Sequence, residues 1–284
     1  MKVEVFQVDA FTDKPFGGNA AGVVPDASSL SDEQMRLIAR EMNLSETAFV
    51  LPPTTPEADV RVRFLTPTEE VELCGHATVA TFHVLKALGH GEDQFVQETL
   101  AGTLPVYVEG DRIMMVQAEP ELGQVLEDPT RLCEVLGISP GDLDLDLGPV
   151  QVVSTGLRDV ILPVKTRTAL FKIRPNNDGL SRLSRELGVV GVHAFTLDTV
   201  GPSAYAHTRN FAPLVGIPEE AATGTSNGAL GAYLVHHNVL RRPCSFSVEQ
   251  GYILGRESEI YVEVGERVKV GGKAVIVLRG ELFL

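Results

Sequence analysis

Short segments in which apolar and polar residues alternate recur along the whole chain, and this period of two predicts β-strands. In the first half they lie near residues 3–8, 46–51, 60–64, 95–99, 104–108 and 112–117, and in the second near 150–155, 160–163, 192–197, 205–211, 245–250, 260–264 and 268–278. Segments with helical spacing and capping residues are fewer, at 32–42, 130–136 and 180–187. This pattern favours an α+β fold with antiparallel sheets over the βαβ alternation of a nucleotide-binding fold.

The stretch from Gly216 to Leu234 differs from these segments because it changes from acidic and glycine-rich to small and apolar. Gly224 frees the backbone for a turn, and the next three residues, 225–227, are types that cap helices. Residues 229–234 have the composition of a buried helix. We therefore expect a loop that leads into a buried helix beginning beside Thr225.

The same plan occurs earlier in the chain, where Gly75 opens another small, apolar segment. Gly75 and Gly224 are 149 residues apart, just over half the chain. This repeat predicts two similar domains, residues 1–117 with a C-terminal strand 267–284 and residues 118–266. The start of each helix offers unpaired N–H groups and a positive dipole end, so a cleft between the domains is expected to hold an anion, most simply a substrate carboxylate.

Composition and charge restrict the possible functions. The 284 residues carry a formal net charge of −14 without a basic run, which opposes binding to nucleic acid or to an anionic membrane surface. The three cysteines, Cys74, Cys133 and Cys244, have the spacing of neither a disulfide framework nor a zinc site. No apolar segment has the length of a signal sequence or a membrane span. We therefore expect a soluble, cytoplasmic protein that acts on a small molecule.

Three places in the first half are candidates for chemistry, and each has a purely structural alternative. Gly17 and Gly18 either let backbone approach a ligand or form a plain hairpin loop. Glu46 begins an apolar strand, where partial burial would raise its pKa towards the range useful for proton transfer, although an exposed acid at a strand end is the simpler interpretation. His76 either carries a proton at the helix start or packs against the turn.

Several motifs together resemble the phenazine biosynthesis PhzF-like isomerase family. They are Val8–Thr12 with Phe16–Asn19, Asn43–Phe49, Phe64–Pro67, Gly75–Thr78, Arg209–Pro213 with Gly216–Thr225, and Gln250–Gly251 with Gly255–Arg256, in order along almost the whole chain. The resemblance implies the diaminopimelate epimerase-like fold, in which two pseudo-symmetric halves each wrap a mainly antiparallel β-barrel around a central helix. It also implies an isomerase, needing neither metal nor organic cofactor, in which a glutamate moves a proton between carbons of a cyclic amino-hydroxy-diene carboxylate.

The resemblance also assigns residues and an assembly. Glu46 matches the family's glutamate and His76 its site histidine, while Glu220 and Thr225 stand where the family usually has Asp and Ser. Glu220 keeps the charge but is one methylene longer, and Thr225 keeps the hydroxyl but adds a methyl, so the shape of the substrate pocket is expected to differ from the family's. The expected catalytic residues are Glu46, His76 and Glu220, and the expected substrate-binding residues are Gly18, Asn19, Gly75, Thr223, Gly224 and Thr225. The resemblance implies a homodimer.

Two other functions fit the same sequence. A two-base racemase would use a thiol at the start of each helix, but only Cys74 is present, because the offset of 149 places Thr223 at the second position. A threonine hydroxyl is far too weak an acid or base to replace a thiolate. A metabolite-binding protein would keep the carboxylate site and lack the chemistry.

Overall fold

The computed structural model describes all 284 residues and contains six α-helices and eighteen β-strands. The helices are α1 (Asp32–Met42), α2 (Gly75–Ala87), α3 (Thr130–Leu136), α4 (Arg167–Lys172), α5 (Asn177–Leu187) and α6 (Gly224–His236). The first strands are β1 (Lys2–Ala10), β2 (Asn19–Val24), β3 (Glu46–Leu51), β4 (Val60–Leu65), β5 (Glu70–Val71), β6 (Gln94–Thr99), β7 (Gly102–Glu109), β8 (Arg112–Val116) and β9 (Glu121–Val125). The others are β10 (Gln151–Ser154), β11 (Arg158–Pro163), β12 (Gly191–Thr196), β13 (Ala204–Ala212), β14 (Ile217–Glu220), β15 (Cys244–Gln250), β16 (Ser258–Val264), β17 (Val268–Gly272) and β18 (Ala274–Phe283).

Contacts divide the chain into two compact units. Unit 1 contains Met1–Val116 and Gly271–Leu284, and unit 2 contains Gln117–Val270. The last strand, β18, belongs to unit 1 because it pairs along its length with β1, from Ala274 opposite Ala10 to Phe283 opposite Lys2.

The strands of unit 1 follow the order β18–β1–β2–β3–β4–β6–β7–β8, in which β2–β3 and β4–β6 are parallel and the other pairs antiparallel. Helix α2 packs against β1, β2, β3 and β18 and also against β8. Its residues are buried around most of its circumference, as expected for a helix inside a sheet. Unit 1 therefore has a central helix with strands on several sides.

Unit 2 repeats this arrangement. Its strands follow the order β9–β10–β11–β12–β13–β15–β16, with β11–β12 and β13–β15 parallel and the other pairs antiparallel. Helix α6 packs against β10, β11, β12 and β16.

A separate apolar cluster joins α3, α4 and α5 to this sheet through residues that include Leu136, Leu170 and Leu180. Although α2 and α6 are the most apolar helices, no helix in the structure combines the length and apolarity that a membrane span requires.

The two units share one pairing pattern: the pairs along β1–β2–β3–β4–β6–β7 alternate between antiparallel and parallel, and so do those along β10–β11–β12–β13–β15–β16. Both central helices contain 13 residues, and their first residues are 149 positions apart. A side-chain pair is repeated as well. Arg63 binds Glu70 through two hydrogen bonds of 2.8 and 2.6 Å, and Arg209 binds Glu219 through two of 2.8 Å. Both glutamates lie five residues before the helix start. The predicted fold class, with two similar halves built around a central helix, is confirmed.

The structure corrects one helix start. Helix α6 begins at Gly224 and its N-cap residue is Thr223, so Thr225, Ser226 and Asn227 lie in the first turn and do not cap it. The physical reason is that the Ser226 and Asn227 side chains bind other buried groups. By contrast, the helix predicted at 32–42 is confirmed, with Ser31 and Gln34 forming a capping box.

Other elements were missed because their patterns are short. Helix α4 has only six residues, and β5, β9 and β14 have two to five, too few for a reliable period. Helix α5 begins at Asn177, three residues before the predicted start, with Asn176 as its cap. The single strand expected at 268–278 is two strands, separated at Lys273, whose carbonyl accepts from the Phe11 N–H.

Candidate active site

The start of α2 and the start of β3 bring Glu46 and His76 together in unit 1. Glu46 is the first residue of β3, opposite Ala21 in the parallel pair with β2. His76 is in the first turn of α2, which packs against both strands. The interpretation of Glu46 as an exposed strand-end acid is wrong, because only 15% of its side chain is exposed.

The imidazole of His76 lies between two acidic groups. Its Nε2 atom is 3.2 Å from Glu46 Oε2 and 3.1 Å from Ser45 Oγ, and its Nδ1 atom is 3.3 Å from Cys74 Sγ. Glu46 Oε2 is itself buried, and no N–H or O–H group is aligned with it as a hydrogen-bond donor. A buried carboxylate oxygen that keeps an unused lone pair beside an imidazole is an arrangement suited to accepting a proton.

The charges in this cluster differ from the sequence-based expectation for Glu46. Burial raises the pKa of Glu46, but the close approach and positive charge of His76, together with the nearby Ser45 and Cys74, outweigh it, so the pKa is lowered from 4.5. Burial also lowers the pKa of His76, but Cys74 and Glu46 outweigh it and the pKa is raised well above 6.5. The expected raised pKa of Glu46 is therefore wrong, and near neutral pH the pair is a carboxylate and an imidazolium.

Cys74 is the N-cap residue of α2 and its side chain does not cap the helix. Burial raises the pKa of its thiol, and this effect outweighs the positive charge of the neighbouring His76. Glu46, Cys74 and His76 have the side-chain types of metal ligands, and their ligand atoms lie within 4.8 Å of one another. Here Nε2 of His76 faces Ser45 and Glu46, and Nδ1 faces Cys74.

The turn that contains Gly18 and Asn19 lies at the same end of the unit 1 sheet as Glu46. Asn19 begins β2, two residues before the partner of Glu46. Gly18 has a φ of +57°, and a Cβ atom there would lie 2.0 Å from the Ala10 carbonyl oxygen, so only glycine fits. The turn is fixed further because the buried Asp9 carboxylate accepts from the Phe16 N–H at 2.7 Å.

Gly75 is the first residue of α2 in unit 1, and the other predicted residues lie in unit 2, around the start of α6. Glu220 ends β14, and its Oε2 atom accepts from the Thr223 hydroxyl at 3.0 Å. Gly224 is the first residue of the helix and is buried. Thr225 follows it half-buried, and its carbonyl accepts from the Thr155 hydroxyl at 2.9 Å. The structure thus brings Glu220 into contact with Thr223, and Thr225 takes part in a different contact through its carbonyl.

Sequence reasoning missed a buried polar network behind Thr223. Gln250, at the end of β15, is fully buried and contacts Thr223, Asn227 and the Glu220 carbonyl. Asn227 in turn contacts His193 on β12 at 3.2 Å. The only sequence signal was the Gln250–Gly251 motif, to which we assigned no role.

The network ends at Asp159, whose carboxylate accepts from the Ser226 hydroxyl at 2.5 Å. Burial raises the pKa of Asp159 to about 6, and burial lowers the pKa of His193 to about 4. Ionised Asp159 costs the folded protein about 3 kcal/mol, a loss that develops as pH rises from 3.8 to about 6. His193 has the opposite effect on the free energy of unfolding. Its buried imidazole stays neutral, so the stabilisation that it contributes is lost as pH falls from 6.5 to about 4.

We expect these opposed effects to nearly cancel between pH 4 and 6.5 in the native chain. In Asp159→Asn only the pH effect of His193 should remain, so the free energy of unfolding should decrease as pH falls through this window. His193→Gln should reveal the aspartate alone, with the opposite slope. Urea unfolding at half-unit pH intervals measures both slopes, and parallel curves for the two variants would contradict the assignment.

Comparison with known proteins shows the family of this chain. A family model described as phenazine biosynthesis-like protein matches residues 8–280. An uncharacterized isomerase from Clostridium acetobutylicum is 40% identical over 300 residues, which cover 100% of this chain and 99% of that protein. The crystal structure of a PhzF-family phenazine biosynthesis protein from Bacillus anthracis has a TM-score of 0.91 and 32% identity, with both chains fully covered. A hydroxyproline epimerase from Agrobacterium vitis, 12% identical with a TM-score of 0.64 and 99% and 92% coverage, shares the fold.

Proposed function

This chain belongs to the PhzC-PhzF family of phenazine biosynthesis-like proteins and is an isomerase of the PhzF-like type, and we propose that it moves a proton between two carbons of a small carboxylate, with Glu46 as the single acid–base residue. The substrate is expected to be an amino- or hydroxy-acid, and the chemistry to need neither metal nor organic cofactor. The function is proposed for a homodimeric, cytoplasmic protein.

The observation that carries this proposal is the environment of Glu46 Oε2. This oxygen is buried, has no aligned hydrogen-bond donor, and lies 3.2 Å from the imidazolium of His76. A structural carboxylate at such a position would normally have its lone pairs satisfied. A carboxylate that must accept a proton from carbon needs one lone pair left open, because a C–H group replaces the usual donor.

The lowered pKa of Glu46 limits how the reaction proceeds. Glu46 is ionised and ready to accept a proton, but it is a weak base, so the carbanion-like charge left on the substrate needs stabilisation. Glu46 takes the proton from one carbon as the C–H electron pair moves into the conjugated system, and the protonated Glu46 returns it to another carbon. Atoms and charge are then balanced without a further reactant.

The start of α2 is suited to this stabilisation. Its first N–H groups have no partner within the helix, Cys74 supplies no side-chain cap, and Gly75 adds no side chain that would cover them. A substrate carboxylate or a developing oxyanion placed there gains favourable charge interactions within the first turn. His76, held between Glu46 and Cys74, orients the carboxylate and adds a positive charge.

Glu220 is proposed to bind the amino or hydroxyl group of the substrate. Its Oε2 atom already accepts from Thr223, so the carboxylate is held in one orientation as a hydrogen-bond acceptor. The groups that such an acceptor binds are donors, which an ammonium or hydroxyl supplies. Gly18, Asn19, Gly224 and Thr225 are the further proposed substrate-binding residues.

The proposal is tested by hydrogen exchange in deuterated water. Purified protein is incubated with a panel of amino and hydroxy carboxylates that includes a cyclic amino-hydroxy-diene carboxylate, and the position of deuterium is read by NMR. Incorporation at carbon, or migration of a substrate deuterium between carbons, supports an isomerase. Binding of a carboxylate without exchange at any carbon would instead identify a metabolite-binding protein.

Cys74→Ser distinguishes the single-carboxylate mechanism from the two-thiol racemase. We expect less than roughly tenfold loss of exchange, because a hydroxyl can keep the contact with His76 Nδ1 and the thiol takes no proton from substrate. A racemase that uses Cys74 as a base would lose roughly 10²–10⁴-fold. Exchange rates of both proteins at equal concentration give the answer, with Cys133→Ser, in the core of unit 2, as the thiol control.

A further inference from the structure

Both amide atoms of the Gln250 side chain make hydrogen bonds to residues at or beside the proposed site. Its side chain is fully buried at the end of β15. The Oε1 atom accepts from Asn227 Nδ2 at 2.9 Å and from the Thr223 N–H and the Thr208 hydroxyl at 3.3 Å. The Nε2 atom donates to the Glu220 carbonyl at 2.9 Å and to the Thr223 hydroxyl oxygen at 3.0 Å.

The chemistry of these partners leaves one orientation for the Gln250 amide. A backbone N–H can only donate, so the atom facing Thr223 N must be the oxygen. A carbonyl oxygen can only accept, so the atom facing the Glu220 carbonyl must be the nitrogen. A rotated amide would place like groups against each other at both positions, and each buried mismatch costs about 1–3 kcal/mol.

This fixed amide determines the direction of the next hydrogen bond. Because Gln250 Nε2 donates to the Thr223 hydroxyl oxygen, the hydroxyl hydrogen points to its other neighbour, Glu220 Oε2, at 3.0 Å. Thr223 is therefore a donor to Glu220, and Glu220 is held as an acceptor. Thr223 is thereby unavailable as a proton donor elsewhere.

A second layer holds Gln250 itself. Asn227 donates both to Gln250 and to the Thr223 carbonyl at 2.9 Å, and its own oxygen faces His193 Nε2. Asn210 Nδ2 faces His193 Nδ1 at 3.3 Å, which requires that nitrogen to be unprotonated and Nε2 to carry the hydrogen. The hydrogen bonds thus run in one direction from Asn210 to Glu220.

The backbone around Gln250 is fixed to the same segment. Gly251 has a φ of +82°, and a Cβ atom there would lie 2.6 Å from the Ala221 carbonyl oxygen. The Ser258 hydroxyl oxygen lies 2.9 Å from the carbonyl oxygens of both Ala221 and Gln250, so its single hydrogen is shared between them. The end of β15 therefore cannot move independently of the residues that follow Glu220.

The geometry points to Gln250 as a positioning residue for Glu220, acting through the Thr223 hydroxyl. By holding Glu220 as an oriented acceptor, Gln250 makes this position selective for substrates that present a donor, an amine or a hydroxyl, over analogues that lack one. This assignment rests on the proposed function, because it gives Glu220 its role in substrate binding.

The first test needs no substrate and uses backbone amide hydrogen exchange of the complete protein. Gln250→Met keeps the side-chain volume and removes every hydrogen bond of the amide. We expect exchange at the Thr223 amide, and across residues 220–225, to become at least tenfold faster. Gln151→Met removes another buried amide of unit 2, which donates to the Gly123 carbonyl, and should leave this segment unchanged. Unchanged exchange at Thr223 in Gln250→Met would overturn the assignment.

The second test separates positioning from general stability by a double-mutant cycle. With a cyclic amino-hydroxy-diene carboxylate as the probe, Gln250→Met should raise KM roughly tenfold or more with kcat nearly unchanged, and Glu220→Gln should do the same. In the double variant the effects should not add, because Gln250 acts only through Glu220. Additive effects, or a fall in kcat alone at unchanged KM, would overturn the inference.

The two proposals fail separately. If the native protein shows no carbon exchange with any probe, the proposed isomerase function is wrong, whereas faster exchange at Thr223 would still support the placement of Glu220 by Gln250. If the native protein is active but Gln250→Met behaves like Gln151→Met, the inference about Gln250 is wrong and the proposed function stands.

Discussion

Glu46→Gln is expected to lower carbon-hydrogen exchange by about 10²–10⁴-fold, the range that general acid–base catalysis supplies. The amide has the shape of the carboxylate, so the side chain still fits beside His76, but it cannot accept and return a proton. The decrease should appear in kcat and kcat/KM alike, because the lost interaction is made in the transition state. Deuterium incorporation into substrate, followed by NMR, measures the effect.

Two comparisons make this prediction specific. Glu41→Gln changes an exposed carboxylate near the end of α1 in the same way and should leave the rate unchanged. Because the pKa of Glu46 is lowered from 4.5, the midpoint of the acid loss of kcat/KM through this group should lie below that pH. A variant Glu46→Gln with native exchange would exclude Glu46 from the chemistry.

Arg209→Met is expected to lower the free energy of unfolding by about 3–5 kcal/mol, the cost of breaking a buried ion pair from one side. Only 4% of the Arg209 side chain is exposed, and it binds Glu219 with two hydrogen bonds. It also donates to the carbonyls of Leu170 and Ile173. Methionine fills the space but removes both donors from the Glu219 carboxylate, and the carbonyls of Leu170 and Ile173 each keep only their other donor.

The repeated pair in unit 1 provides the matched control. Arg63 binds Glu70 in the same two-point manner, but its partners are more exposed, 23% for Glu70 and 63% for Asp32. Arg63→Met should therefore cost less, roughly 1–2 kcal/mol. Urea unfolding of both variants tests the order, and equal losses would show that burial does not set the cost.

Much of the fold could be predicted from the sequence because its signals are local. The repeat around Gly75 and Gly224 predicted two buried helices, and both have 13 residues. Alternation predicted most strands, and Ser31 marked the start of α1. Of the elements that were missed, β14 is four residues long and is ordered by its pairing with β13, and α4 is six residues long and packs against β12 and β13.

The properties of the candidate site were harder to predict because they depend on contacts across the fold. The position of Glu46 at a strand start suggested burial and a raised pKa, whereas His76, 30 residues further along, lowers it. The roles of Gln250 and Thr223 could not be read from spacing either. Only the folded chain shows that the end of β15 meets the start of α6.

The repeated architecture also bears on why only unit 1 has a carboxylate at this strand position. In the pairing scheme Gly191 is the counterpart of Glu46, since each is the first residue of its strand and begins a parallel pair. A Cβ atom at Gly191 would lie 2.1 Å from the Phe211 carbonyl oxygen. An engineer who wished to install a mirrored carboxylate there, and so build a symmetric catalyst, would first have to separate two bonded strands.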